Sequence, residues 1–236
     1  MKIRVKFAKR GTMKFVGHLD LMRYFQKAIK RAGIDIAYSA GFSPHQILSF
    51  AAPLGLGCVS EGEYLDMEVN SISSTEEMKH ALQNAMVEEM EILSVRVLPD
   101  KAKNAMALVA GADYEITLRQ GYKLPDDWQR RFMDFFCQPE ITVLKKTKKS
   151  EKEVDIRPMI YQAKETKEGI FMQLASGSAK NLKPELVMES FCHFIGVEYE
   201  PLAVEVKRLE MYGNTGSGDE VKLVALEDFG CQEKYY

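Results

Sequence analysis

KFVGHLDLMRYFQKAIKRAGIDIAYSAGFSPHQILSFAAP, residues 14–53, is the stretch whose reading decides the fold. Leu21, Met22, Phe25, Ala28, Ile29 and Ala32 recur three and four residues apart, which is one apolar face of a helix from His18 to Ala32. Gly33 ends that helix as a C-terminal glycine does. Arg23, Lys27, Lys30 and Arg31 fall at i, i+4, i+7 and i+8 and make a second, basic face. Residues 34–40 read as a strand, Gly41 to Pro44 break it, and residues 46–52 resume it.

Working outward, Ile3, Val5 and Phe7 alternate with Lys2, Arg4 and Lys6, the period of a strand over residues 2–8. Gly11 and Thr12 mark a turn, and residues 13–16 read as a short strand. Residues 63–69 form another strand. Ser74 or Thr75 followed by Glu76 and Glu77 starts a second helix. Residues 91–98 close the unit. The order β-α-β-β-α-β is that of a ferredoxin-like domain.

The pattern returns after residues 100–112. A strand over 113–119 leads to a helix from Pro125 to Gln138, with proline at a favoured first position. Strands over 140–146 and 153–160 flank the basic run KKTKKSEK. A strand over 170–175, a helix from Pro184 to Ile195 and a strand over 202–209 follow. The expected fold class is α+β, two tandem ferredoxin-like (βαββαβ) domains over 1–99 and 113–212. Residues 100–112 are expected as a linker and 213–236 as a flexible tail.

At 236 residues the chain suits one large or two smaller domains. No apolar run reaches the roughly 20 residues of a membrane helix, and the first residues form neither signal nor transit peptide, so no membrane contact and a cytoplasmic location are expected. The four cysteines, Cys58, Cys137, Cys192 and Cys231, are too far apart for a zinc knuckle or an iron–sulfur cluster. They are expected as buried reduced thiols, with no cofactor. Residues 1–31 carry ten basic side chains against one acid, Asp20, whereas residues 60–91 carry nine acids against Lys79. The two segments either neutralise each other or form opposite faces.

The motifs His18-Leu19-Asp20, Arg31-Ala32-Gly33, Gly41-Phe42-Ser43-Pro44-His45 and Ser60-Glu61-Gly62-Glu63-Tyr64 resemble those of a bacterial family of radical-SAM-linked proteins. Members of that family stand alone or form the C-terminal part of B12-binding radical SAM proteins, and no function is assigned to the family. Val154-Asp155-Ile156-Arg157-Pro158 resembles its second motif. Gln46 replaces a proline common there, so the turn need not be rigid. The resemblance covers about residues 1–210 and implies partnership with radical SAM chemistry in RNA or ribosome-related modification. Lacking a cysteine triplet, the chain is not itself the radical-generating subunit.

The candidate site centres on His18, Asp20 and His45. These suit a three-ligand metal set, although the residues are equally those of a capped helix and a turn, and no metal is assigned. His18 and His45 also suit acid–base cleavage of RNA. The candidate nucleic-acid contacts are Arg23, Lys27, Lys30, Arg31, Lys145 and Lys146 for phosphates, with Tyr38, Phe42 and Tyr24 for stacking. Lys2, Arg4 and Lys6 would enlarge the basic area. Lys148, Lys149 and Lys152 extend the basic hairpin. Asp155 and Arg157 share one side of a strand and are expected to pair. The expected function is an RNA-binding accessory that presents RNA, or a ribosome-related substrate, to a radical SAM partner. The alternatives are a metal-independent endoribonuclease and a protein-interaction scaffold.

Overall fold

Strand β1 (Lys2–Lys9) lies between β4 (Ile92–Leu98) and β3 (Val59–Glu68), antiparallel to both. The computed structural model describes residues 1–146, 151–217 and 220–232, and the side chains of residues 145, 146, 151 and 152 are outside that description. A short strand β2 (Leu48–Phe50) pairs with the far end of β3. Helices α1 (His18–Arg31) and α2 (Thr75–Asn84) supply Leu21, Phe25, Ile29, Met78 and Leu82 to the core over these strands. The rings of Phe7, Phe25 and Phe50 meet at centroid distances of 4.8–6.0 Å and form its centre. Ser74 caps α2 by accepting from the Glu77 amide.

The second half repeats this strand order. Strand β5 (Val109–Leu118) lies between β10 (Val204–Asn214) and β9 (Gly169–Ala175), and β8 (Ile160–Glu165) is the edge beyond β9. Helices α4 (Trp128–Phe136) and α5 (Pro184–Phe194) bring Trp128, Phe132, Phe135 and Phe191 together in a separate core. Strands β6 (Thr142–Lys146) and β7 (Glu151–Asp155) form a hairpin outside the main sheet, inserted between α4 and β8. The molecule is thus a mixed α/β fold around one large, mostly antiparallel sheet.

Several sequence expectations change. Residues 13–15 belong to a 3-10 turn (Gly11–Phe15), and Val16 follows it. Residues 34–40 make only isolated bridges, Ile36 with Val69 and Tyr38 with Gln46. Residues 100–112 are not a free linker. Their short helix α3 (Ala105–Leu108) docks on β3, where the Ala105 amide donates to the buried Asp66 carboxylate at 2.7 Å, and β5 already begins at Val109. Residues 223–231 are not a free tail. Strand β11 (Leu223–Ala225) pairs with β10, Leu226 is fully buried, and Cys231 exchanges backbone hydrogen bonds with Val97. These segments cover a second face of the first half, which is why β3 is buried without alternation.

The halves are joined where β10 runs parallel to β3 at Lys207–Val59 and Arg208–Ser60. Gly62 sits at this seam. A β-carbon there would lie 2.6 Å from the Leu209 carbonyl oxygen and 2.8 Å from the Glu210 Cα, both fixed backbone. Gly62→Ala is expected to lower stability by about 1–3 kcal/mol, because the seam must part to admit a methyl group. Urea denaturation checks this, and an unchanged midpoint would mean the seam yields freely.

The charge asymmetry is largely neutralised within the fold. Arg4 is fully buried and forks onto Asp66 at 2.8 and 2.9 Å. Arg10 pairs with Glu61 and Glu91, and Lys6 pairs with Glu210 and Glu227. Arg4 and Lys6 therefore add nothing to a basic surface. Burial holds for Cys58 and Cys192 among the cysteines but not for Cys137 and Cys231, which are exposed.

Candidate functional site

Helix α1 buries Leu21, Phe25, Ala28 and Ile29 and turns Leu19, Asp20, Arg23, Lys27, Lys30 and Arg31 to solvent. The spacing in the sequence dictates this division. Arg23 pairs with Asp20 at 3.1 Å, and Arg31 donates to the Ala85 carbonyl at the end of α2 at 2.7 Å. Among the described residues, Lys27 and Lys30 pair with no acid.

Beside α1 stands the loop 39–45. It is closed by backbone and side-chain bonds between Ser39 and His45: Ser39 N–H donates to the His45 carbonyl at 2.9 Å, and the Ser39 hydroxyl meets both the His45 amide and Nδ1. Gly41 has a φ of 111°, which a side chain would oppose. Gln46 ties the loop's base to α1 by donating to the Gln26 carbonyl at 3.3 Å. Phe42 is left fully exposed at the tip, and Tyr38 is exposed at the base. Both rings offer open faces to a partner.

His18 and His45 sit in separate local contacts. His18 packs its ring edge-on against Phe50 at 5.5 Å, at the start of α1. His45 clamps the loop. No hydrogen bond or ring contact joins them, and Asp20 is taken by Arg23. Among the described residues no three His, Cys, Asp or Glu side chains form a metal-holding group, so the His18–Asp20–His45 set is not brought together. Tyr24 is also not available for stacking. Its hydroxyl accepts from the Val87 amide at 2.8 Å and its ring packs on Phe25. Asp155 and Arg157 do not pair through their side chains. Asp155 accepts from the backbone amides of Ile141 and Arg157, and the Arg157 guanidinium lies 4.1 Å over the Phe136 ring. The expected contacts Lys145, Lys146 and Lys152 have side chains outside the described residues, as do Lys148 and Lys149 entirely.

A second feature was not foreseen. Where the halves meet, a cleft of about 540 Å³ opens between residues 51–55, the loop 176–183, the first residues of α5 and the strands β5 and β10. Arg208 lies in its wall, 3% exposed, and forks onto the equally buried Glu63 at 2.8 and 2.6 Å. Lys9, also buried, faces the same carboxylate and donates to the Val16 carbonyl at 2.9 Å; burial pushes its pKa down. Tyr114, Arg208 and Ser176 line the same cleft, and burial pushes the Tyr114 hydroxyl up. Burial likewise raises the Cys58 thiol. The signal for this site was phase. Lys9 continues the inward series Ile3, Val5, Phe7, and Arg208 continues Val204, Val206, so both are charges at core-facing strand positions.

Fold and site together define a mixed α/β protein with a braced aromatic loop beside a cationic helix and a charged cleft between two similar halves. The model of the family described as "Uncharacterized protein conserved in bacteria (DUF2344)" matches residues 2–184, and the chain belongs to that family. No curated protein sequence matches it. Among solved structures, a chain of the "Crystal Structure of a Cbf5-Nop10-Gar1 Complex" is similar over 89% of this chain at 11% identity and a TM-score of 0.46. This chain spans 48% of that one, and the likeness is too weak to speak to function. Among the described residues no helix is long and apolar enough to cross a membrane.

Proposed function

We propose that the chain is an RNA-binding accessory protein of the cytoplasm, built from two ferredoxin-like units, that presents RNA or a ribosome-related substrate to a radical SAM partner. One observation carries the RNA reading: Phe42 stands exposed on a braced loop and Tyr38 at its base, and Gln46 ties this segment to α1, the helix that carries the exposed cations Lys27 and Lys30. Aromatic faces take unstacked bases, and neighbouring lysines take the phosphates. The resemblance of the His18 and Phe42 motifs to radical-SAM-linked proteins supports the partner.

Anisotropy titrations with single-stranded RNA test this reading. Phe42→Ala is expected to weaken binding by about 1–3 kcal/mol, the worth of one stacked base. Lys27→Ala with Lys30→Ala is expected to flatten the log–log salt dependence by roughly 1.4, about 0.7 per lost phosphate contact on a single strand. Binding that is undetectable, or indifferent to salt, sinks the RNA reading. Co-purification with a protein bearing a radical SAM cysteine triplet tests the partner separately.

A further inference from the structure

We propose that the cleft between the halves is a binding site for a small organic anion, its acid group held by Arg208, Tyr114 and Ser176 and its apolar body by Leu54, Met106 and Val206. All six residues line one cavity of about 540 Å³, within the size range of small-molecule sites.

The polar anchor is built. Arg208, Tyr114 and Ser176 are each more than nine-tenths buried, and all three face the cavity. A guanidinium carries five N–H donors. Nε and Nη2 of Arg208 are used on Glu63 and on the Ala52 carbonyl. Nη1 donates to no carboxylate or carbonyl among the described residues, and Arg208 lines the cleft beside Tyr114. Ser176 and Tyr114 put two hydroxyls on the same lining as the Arg208 guanidinium.

The sign of the ligand follows from the charges. Arg208 takes Glu63 in a two-point fork, while the buried Lys9 ammonium donates to the Val16 carbonyl and forms no salt bridge among the described residues. The lining carries one further acid, Glu185, and one further base, Lys183. The excess is one positive charge on buried side chains at the cleft wall, where an unmatched charge is costly and a matching anion is drawn strongly. The rest of the lining is mostly apolar, so a bare inorganic ion would leave most of the cleft unfilled. A carboxylate and a phosphate monoester both satisfy this chemistry.

Calorimetric titration of the full chain tests the site with four probes: octanoate, octyl phosphate, octanol and inorganic phosphate. Octanoate or octyl phosphate is expected to bind at least about tenfold more tightly than octanol, and whichever is tighter identifies the acid group. Met106→Trp, at an exposed position on the cleft wall, is expected to block the binding while leaving RNA affinity unchanged. Tyr114→Phe, which keeps the ring and the fold, is expected to weaken it about tenfold by removing one buried hydroxyl from the anchor. The proposal is overturned if octanol binds as well as the anions or if inorganic phosphate binds and the octyl compounds do not. It is equally overturned if Met106→Trp has no effect, or if no probe binds up to about 10 mM. None of these outcomes bears on the RNA reading, which rests on a different surface.

Discussion

Glu63→Ala is expected to lower stability by about 3–5 kcal/mol, the largest loss from any single side chain here. Glu63 is 4% exposed, forks onto Arg208 and, among the described residues, faces Lys9 as well. Removing it leaves two cations in a place water barely reaches. Lys9 can escape by releasing its proton, since burial already pushes its pKa down. Arg208 cannot, because a guanidinium stays charged: burial pulls its pKa down, but Glu63 outweighs it and holds the pKa above the ordinary arginine value. Replacing both partners, as Glu63→Leu with Arg208→Met, is therefore expected to recover part of the loss despite removing more polar contact. Urea denaturation of the three proteins decides the matter. A loss under about 1 kcal/mol in Glu63→Ala would mean that water enters the cleft and solvates the cations.

Ending the chain after Val221 is expected to reduce stability by a comparable amount. The removed segment fills a fully buried position with Leu226, whose burial contributes about 1.5–3 kcal/mol. It also supplies the Leu226 carbonyl to Arg4 Nη1 at 2.8 Å and the Glu227 carboxylate to Lys6 at 2.6 Å. Uncovering Arg4 removes an acceptor from a buried donor, a further loss of about 1–3 kcal/mol. The same docking responds to pH. Burial pushes the Glu227 carboxyl up, but hydrogen bonds from Lys6 and Ser94 outweigh it and hold the group below the usual carboxylate range. A depressed folded-state value contributes stability above the unfolded value and loses it as pH falls through the folded one. Lys6 is shifted the opposite way: burial lowers it, Glu210 and Glu227 raise it more, and its contribution is lost only as pH rises past the ordinary lysine value. The segment is thus expected to loosen below about pH 4 and not at neutral pH. Hydrogen exchange at the Val97 and Cys231 amides, which pair at 2.9 Å, reads the release directly. Protection persisting at pH 3 would remove Glu227 from the account.

Much of the frame was legible because two periodicities are strong. Leu21, Phe25, Ala28 and Ile29 settle α1, and Ile3, Val5 and Phe7 settle β1. The second half misled in one place. Residues 153–160 read as a ladder strand, but β7 ends at Asp155 in the inserted hairpin, and the ladder strand is β8 at Ile160–Glu165. An irregularity between Ile160 and Gln162 disturbs the register there, and Gln162, Lys164 and Glu165 face solvent, so an edge strand with few inward residues gives little pattern. The C-terminal segment was opaque for another reason: it docks on Arg4 and Lys6, a polar surface that periodicity does not announce. For the site, the basic face of α1 and the exposed Phe42 and Tyr38 could be read directly. The meeting of His18 with His45 could not, because closeness in sequence says nothing about which way two rings point. The cleft draws on residues 51–58, 106–114, 176–185 and 206–208, so only the charges at core-facing positions hinted at it.

The seam at Gly62 also governs the order of events during synthesis. Residues 59 and 60 acquire their partners in β10 only when residues 207 and 208 are made, and Arg4 acquires its Leu226 acceptor later still. Contacts this distant along the chain slow folding, since the intervening loop must close first. An emerging first half therefore leaves the ribosome with its Arg4–Asp66 pair uncovered and a strip of β3 unpaired for well over a hundred residues of elongation. Over that interval the chain is most open to chaperones and to wrong strand partners, and the completion of β10 and β11 closes it.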